Sequence, residues 1–152
     1  FEAGIKAGWL RHVGLGESLH FIAARMGWTL ERWEEDRPRA VKATKAMSSG
    51  LGPVKKGLAC GVYQEARGYC AGKEVVTLKF EAALGLKNPH DRVVVVGGPS
   101  LDLTWKGGVQ GDIATSAIVV NSIASLLHAS PGLHTMAGIP LVSCTPGSVK
   151  KT

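Results

Sequence analysis

Cysteine, long apolar stretches and recognisable catalytic spacings are what this chain has least of, and each shortage excludes something. Three cysteines (Cys60, Cys70, Cys144) are an odd number with no close-spaced pair. Neither a disulfide framework nor a zinc knuckle is expected, and a reducing, cytoplasmic setting fits best. Cys60 lies in an apolar stretch and reads as a small core residue. No apolar run is long enough to span a bilayer, and no basic-then-apolar leader opens the chain, so the expectation is a soluble protein without a signal peptide or membrane association. His20, His90, His128 and His134 are scattered without ligand spacing, which gives no metal site. No Ser or Cys stands in a nucleophile-elbow context, so hydrolase chemistry is not indicated. A dinucleotide fingerprint is missing as well: Gly107-Gly108-Val109-Gln110-Gly111 lacks the G-x-G-x-x-G spacing, and Gly14-Leu15-Gly16 has no third glycine.

What is present is a globular composition, 45% hydrophobic and 20% charged over 152 residues, with no low-complexity tract. That length suits one domain able to bury roughly 70% of its unfolded surface. Its 20 glycines fall mostly where strands and helices would end and read as turn punctuation. The net charge of +6 gathers in Arg37, Arg39, Lys42, Lys45, Lys55 and Lys56. No aromatics interleave this basic run and Glu34, Glu35 and Asp36 precede it, so a solvated surface is expected rather than nucleic-acid binding.

Periodicity gives a helix-first, sheet-next order. Phe1, Ile5 and Trp9 recur at helical spacing. A loop at 12–16 leads to a second helix with Leu19, Ile22, Ala23 and Met26 on one face, Glu17 and Ser18 at its start and Gly27 at its end. Residues 29–41 read as one weakly patterned strand, and 47–56 as loop. Leu58 to Tyr69 alternates, with Leu58, Cys60 and Val62 on one side and Tyr63, Glu65, Arg67 and Tyr69 on the other. Across the turn at 71–73, residues 74–83 return with Val76, Leu78, Phe80 and Ala82 on one face, an antiparallel hairpin. Four valines at 93–96 suggest a strand buried on both faces, and 101–105 a last short strand. A helix from about Ile113 to His128 follows, with Ile113, Ala117, Val120, Ala124 and Leu127 on one face. The expected fold is α+β, a mostly antiparallel mixed sheet covered on one face by helices. Residues 1–142 are read as one domain and 143–152 as a flexible tail.

Two segments carry candidate chemistry. The glycine-rich loop at 107–111 opens the long helix, where Asp112 can cap, Thr115 lies in the first turn, and an anion or cofactor amide could sit. The simpler reading is that the glycines let a strand turn sharply and Asp112 only caps. His12, in the loop before the second helix, could contact a substrate group or move a proton, although a lone loop histidine is commonly structural. Tyr63, Arg67 and Tyr69 share a strand face that could line a pocket or simply pair across strands.

Arg11-His12-Val13-Gly14-Leu15-Gly16-Glu17-Ser18 resembles the GHVGLPES segment of dihydrodipicolinate reductase-like proteins, notably the 2,4-diaminopentanoate dehydrogenase and native amine dehydrogenase group. Residues 66–69 and 82–86 also look like family segments, and the closest match is residues 107–115, then Ile118-Val119-Val120-Asn121-Ser122-Ile123, then Pro131-Gly132-Leu133-His134-Thr135-Met136. The resemblance runs to about Leu141. It implies the substrate-side and assembly domain of an NAD(P)-dependent oxidoreductase that interconverts imines and amines. Its N-terminal Rossmann domain, with the catalytic carboxylate, would lie outside this sequence. This chain alone would then bind no cofactor and be inactive. The expected partners are a small amine or imine and further copies of the chain, as a homodimer or higher homo-oligomer. By carry-over, His12 contacts substrate, while Gly108, Gln110 and Thr115 lie near the cofactor. The chain departs from the pattern at Gln110, where the family usually has His, and at Gly16, where it has Pro, a change expected to loosen the His12 loop. A stand-alone, non-catalytic oligomerisation or ligand-binding module of the same fold is the competing reading.

Overall fold

A single long strand organises the first half of the protein. In the computed structural model, which describes residues 1–50 and 52–144, the chain divides into two compact units, residues 1–86 and residues from Lys87 onward. The first contains α1 (Glu2–Lys6), α2 (Leu15–Met26), β1 (Arg32–Glu35), β2 (Arg39–Lys42), β3 (Met47–Ser49), β4 (Gly52–Val54), β5 (Ala59–Cys70) and β6 (Lys73–Ala83). The second contains β7 (His90–Val95), β8 (Leu101–Lys106) and α3 (Gly111–Leu127). Every strand pairing is antiparallel among the described residues, and the fold is α+β.

β5 pairs with β6 along nearly its whole length, from Gly61↔Ala83 to Cys70↔Lys73. The hairpin closes through Ala71 (φ 49°) and Gly72 (φ 71°), the two consecutive left-handed residues that a tight turn between right-twisted strands requires. β1 pairs with the C-terminal half of β5 and β2 with its N-terminal half. The single strand expected over 29–41 is therefore two. Pro38 is the physical reason: it has no N–H for a ladder and pushes Arg37 out of regular pairing. The expected loop at 47–56 is also partly structured, with β3 and β4 forming a small hairpin; polar serines and a proline masked it.

α2 lies against the core face of this sheet. Its N-cap is Gly14, without a side-chain cap, and Ser18 N–H donates to Gly14 O at 2.9 Å. Ser18 thus sits inside the first turn instead of capping it. Gly27, at φ 71°, ends the helix in the left-handed conformation. Leu15 and Leu19 of α2 meet Ala66 of β5, with Leu30, Val76, Leu78 and Phe80 packed around them. Gly68 continues that face: a Cβ there would come within 2.9 Å of Val76 and 3.1 Å of both Leu19 and Leu30.

The second unit has a different character. In the β7–β8 hairpin, Asp91, Val93 and Val95 pair with Trp105, Leu103 and Leu101 on one face, and His90, Arg92 and Val94 with Lys106, Thr104 and Asp102 on the other. All twelve hairpin residues are exposed, so the valine strand is not buried on both faces as expected. It belongs to a two-stranded ribbon, where one alternate face is polar; there Arg92 donates two hydrogen bonds to Asp102 at 2.8 and 2.5 Å. α3 is capped by Gln110, whose side-chain oxygen accepts from Ile113 N–H at 2.7 Å. The cap expected of Asp112 therefore belongs to Gln110, and Asp112 lies in the first turn. Ile113, Ile118, Val119, Val120, Ile123 and Leu127 are all exposed, so the apolar residues occupy more than the one face that the period suggested. Of the tail at 143–152, residues 145–152 lie outside the described residues.

Leu19 is fully buried, so Leu19→Ala is expected to lower the unfolding free energy by about 2–5 kcal/mol in urea titration. Val94→Ala, on the exposed ribbon, is expected to change it by less than about 0.5 kcal/mol.

Candidate functional site

Alternation along β5 puts two polar clusters on opposite faces of one strand. On the core face stands Gln64, only 1% exposed. A buried amide must use its hydrogen-bonding groups or lose their solvation uncompensated. Gln64 uses both ends: Oε1 accepts from the backbone N–H of His12 at 3.1 Å, and Nε2 donates to Glu35 Oε1. Arg11 approaches the same carboxylate at 3.7 Å. The loop before α2 is thereby tied to the middle of the sheet.

The His12 ring packs on Phe80 of β6, with centroids 4.3 Å apart and planes at 48°. Its Nδ1 is buried and has no hydrogen-bond partner among the described residues. Beside it lies a cleft of about 410 Å³ lined by Arg11, Trp33, Glu35, Asp36, Arg37, Pro38 and Gln64. Arg11 and Gln64 reach this cleft, while the His12 ring is not among its lining. Trp33 and Glu35 come from β1 two residues apart, on the face toward α2. Gly16 stands in the first turn of α2, beyond the His12 loop itself. A Cβ on Gly16 would stand 2.9 Å from the outer ring of Trp33 and 3.4 Å from Glu35 Oε2.

On the opposite face, Tyr63 O–H and Arg67 Nη2 both donate to Glu65, which is 7% exposed. Arg67 also reaches Asp36 at 3.3 Å, and Arg39 and Arg32 stack over the rings of Tyr63 and Tyr69. The hydroxyl of Tyr63 holds the Glu65 carboxyl below its ordinary value, assisted by Arg67, and the same hydrogen bond raises the Tyr63 phenol. These carboxylates, phenols and guanidinia are matched to one another, which marks this face as a cross-strand network.

Of the candidates read from sequence, His12 falls in the first unit and Gly108, Gln110 and Thr115 fall in the second. Gly107 and Gly108 take φ of 86° and 74°, and Val109 N–H donates to Asp91 at 2.6 Å. Gln110 spends its oxygen on capping α3 and leaves its amide nitrogen 3.5 Å from Asp112. Thr115 is exposed on α3. A second cleft of about 570 Å³, lined by Asn88, Pro89, His90, Arg92, Thr104, Lys106 and Gly107, lies against this loop within the same unit. Sequence reasoning missed Gln64 and Glu35. The available signal was a polar residue on the strand side otherwise occupied by Val62, Ala66 and Gly68.

Among the described residues, no three His, Cys, Asp or Glu side chains group as a metal ion would need, and no helix is long and apolar enough to cross a membrane.

The family description "2,4-diaminopentanoate dehydrogenase C-terminal domain" matches residues 1–152. The 2,4-diaminopentanoate dehydrogenase of Acetoanaerobium sticklandii is 28% identical over 156 residues, covering 99% of this chain and 44% of its own length. The structure of an amine dehydrogenase from Mycobacterium smegmatis superposes with a TM-score of 0.69 at 24% identity, covering 95% of this chain and 44% of that one. The chain thus spans less than half the length of either relative.

Glu65 supplies a pH test. A carboxyl held low in the folded state contributes stability above its unfolded value near 4.5 and loses it as pH falls through the folded value. Urea midpoints taken from pH 7 down to 3 are expected to fall less steeply for Glu65→Gln than for the wild type. Superimposable acid limbs would show that the network adds no linkage.

Proposed function

The chain belongs to the 2,4-diaminopentanoate dehydrogenase C-terminal domain family, and we propose that it is the substrate-side and assembly part of an NAD(P)-dependent oxidoreductase acting on C=N or C–NH2 groups. The observation that carries this reading is the pair His12–Gln64. A loop histidine has its backbone amide fixed by a buried glutamine and keeps a buried ring nitrogen without a partner among the described residues. An uncompensated buried polar atom costs roughly 1–3 kcal/mol, and a hydrogen bond to a small polar substrate group would offset that cost. His12 is therefore assigned to substrate contact.

On this reading a nicotinamide would supply the hydride chemistry when bound, held mainly by a part of the full-length protein outside this chain. From this chain, Gly108, Gln110 and Thr115 would face the cofactor. The residues suit an amide-bearing ring: Gly108 brings backbone close without a side chain, Gln110 retains an amide nitrogen, and Thr115 presents a hydroxyl. No catalytic acid or base is assigned here, and a cytoplasmic setting follows the dehydrogenase reading. The apolar face of the β7–β8 ribbon and the exposed isoleucines and valines of α3 support assembly into a homo-oligomer. The alternative, a binding module without catalysis, draws on Gln110: its oxygen is committed to the helix cap.

The test is the full-length protein with NAD+ or NADP+ and simple amines. Reversible, amine-dependent reduction of the cofactor is expected, with His12→Ala lowering kcat/KM by about tenfold or more, the loss of one good hydrogen bond. Unchanged kinetics in His12→Ala would remove that residue's role, and a catalytically silent full-length protein would favour the module. Light scattering is expected to give a dimer or larger; a monomer would refute the assembly role.

A further inference from the structure

Gly16 and Trp33 make a contact that neither the family description nor the sequence motif accounts for. Gly16 is buried in the first turn of α2, and the outer ring of Trp33 sits where its side chain would be, 2.9 and 3.1 Å from the position of a Cβ. Trp33 also meets the residue one turn further along the same face of α2: the His20 ring lies edge-on to it at 5.2 Å and 82°, while His20 Nδ1 is 2.8 Å from Gly16 O. The indole is 45% exposed and forms one wall of the 410 Å³ cleft that Gln64 and Glu35 also line. Glu35 Oε2 lies 3.4 Å from the same Cβ position. One missing side chain therefore seats both the wall and the carboxylate that Gln64 holds.

We propose that Gly16 and Trp33 act as a specificity-determining pair: the glycine seats the indole against α2, and the seated indole sets how bulky a substituent the cleft accepts beside the His12–Gln64 tie. This rests on the function proposed above. A larger residue at position 16 meets the far end of a half-exposed side chain instead of backbone, so the indole yields while the helix stays. Proline at 16 is acceptable to the backbone, since it lies within the first helical turn, where the N–H needs no intrahelical acceptor. Its ring would still collide with Trp33. Displaced from its seat, the indole moves toward the cleft and narrows it, whereas removing the indole widens it.

The experiment has two arms. In the first, 1H–15N spectra of this chain follow the Trp33 indole N–H, assigned by its loss in Trp33→Phe. Gly16→Ala is expected to move that peak while leaving the circular dichroism spectrum unchanged; an unmoved peak overturns the seating. In the second, the full-length enzyme is assayed with 2-aminobutane and cyclohexylamine, and the ratio of their kcat/KM values is compared. Pocket-wall changes of this size shift such ratios by about tenfold. Trp33→Ala is expected to favour the bulkier amine, Gly16→Ala to disfavour it, and the double variant to follow Trp33→Ala. Trp33→Phe, expected to shift the ratio in the same direction by less, serves if Trp33→Ala does not fold. A ratio unchanged in an active enzyme overturns the specificity role and leaves the dehydrogenase reading intact. Wild-type enzyme that turns over neither amine with NAD+ or NADP+ defeats the dehydrogenase reading and the specificity role with it, and the spectra then decide the seating alone.

Discussion

A buried amide on the core face of a long strand is the constraint around which the first unit is arranged. Gln64 is nearly inaccessible to water, and the free energy of leaving its donors and acceptor unpaired is comparable to that of losing a large apolar contact. It is tolerable because two separate parts of the chain converge on it, the loop before α2 through the His12 amide and the edge strand β1 through Glu35. Apolar packing of Leu15, Leu19 and Ala66 drives the helix onto the sheet. That packing is non-directional, and the amide fixes where along the sheet the helix entry sits. The loop backbone is thereby held to the sheet while the His12 ring rests on Phe80.

The parts of the fold that were legible in the sequence are those where one local period dominates. The β5–β6 hairpin was readable because Val76, Leu78, Phe80 and Ala82 alternate along β6 and a short turn joins it to β5, and α2 and α3 because their apolar residues recur at helical spacing. What escaped had competing local signals. Pro38 divides a stretch whose flanks both read as strand, and Ser48, Ser49 and Pro53 disguise the β3–β4 hairpin. The valines of β7 resemble a core strand, yet a strand's burial depends on what lies across its faces, which no local window contains.

The candidate site was legible at its loop and not at its support. His12 stood out through its motif, whereas Glu35 looked like one more acidic residue in a charged run. Its meaning comes from a partner 29 residues away in sequence. Gly16 is the instructive reversal. Its sequence context suggested a loop, whereas it stands in the first turn of α2, and an indole from another element fills the space of the missing side chain. At the other end of the chain, Gln110 shows a polar residue serving a helix terminus at a position where the family motif suggested chemistry.

The two clusters on β5 are separated by a single peptide bond. Gln64 faces α2 and Glu65 faces the opposite side, and the pairings Gln64↔Phe80 and Glu65↔Lys79 hold them there. The hairpin register therefore works as an address. Sliding β5 by one position against its neighbours would deliver a carboxylate to the apolar side and return the amide to the charged side, exchanging the two clusters in one step. The turn at Ala71-Gly72 and the register shift between Gly68 and Tyr69 together set that pairing, and so govern the identity of a site that neither of them touches.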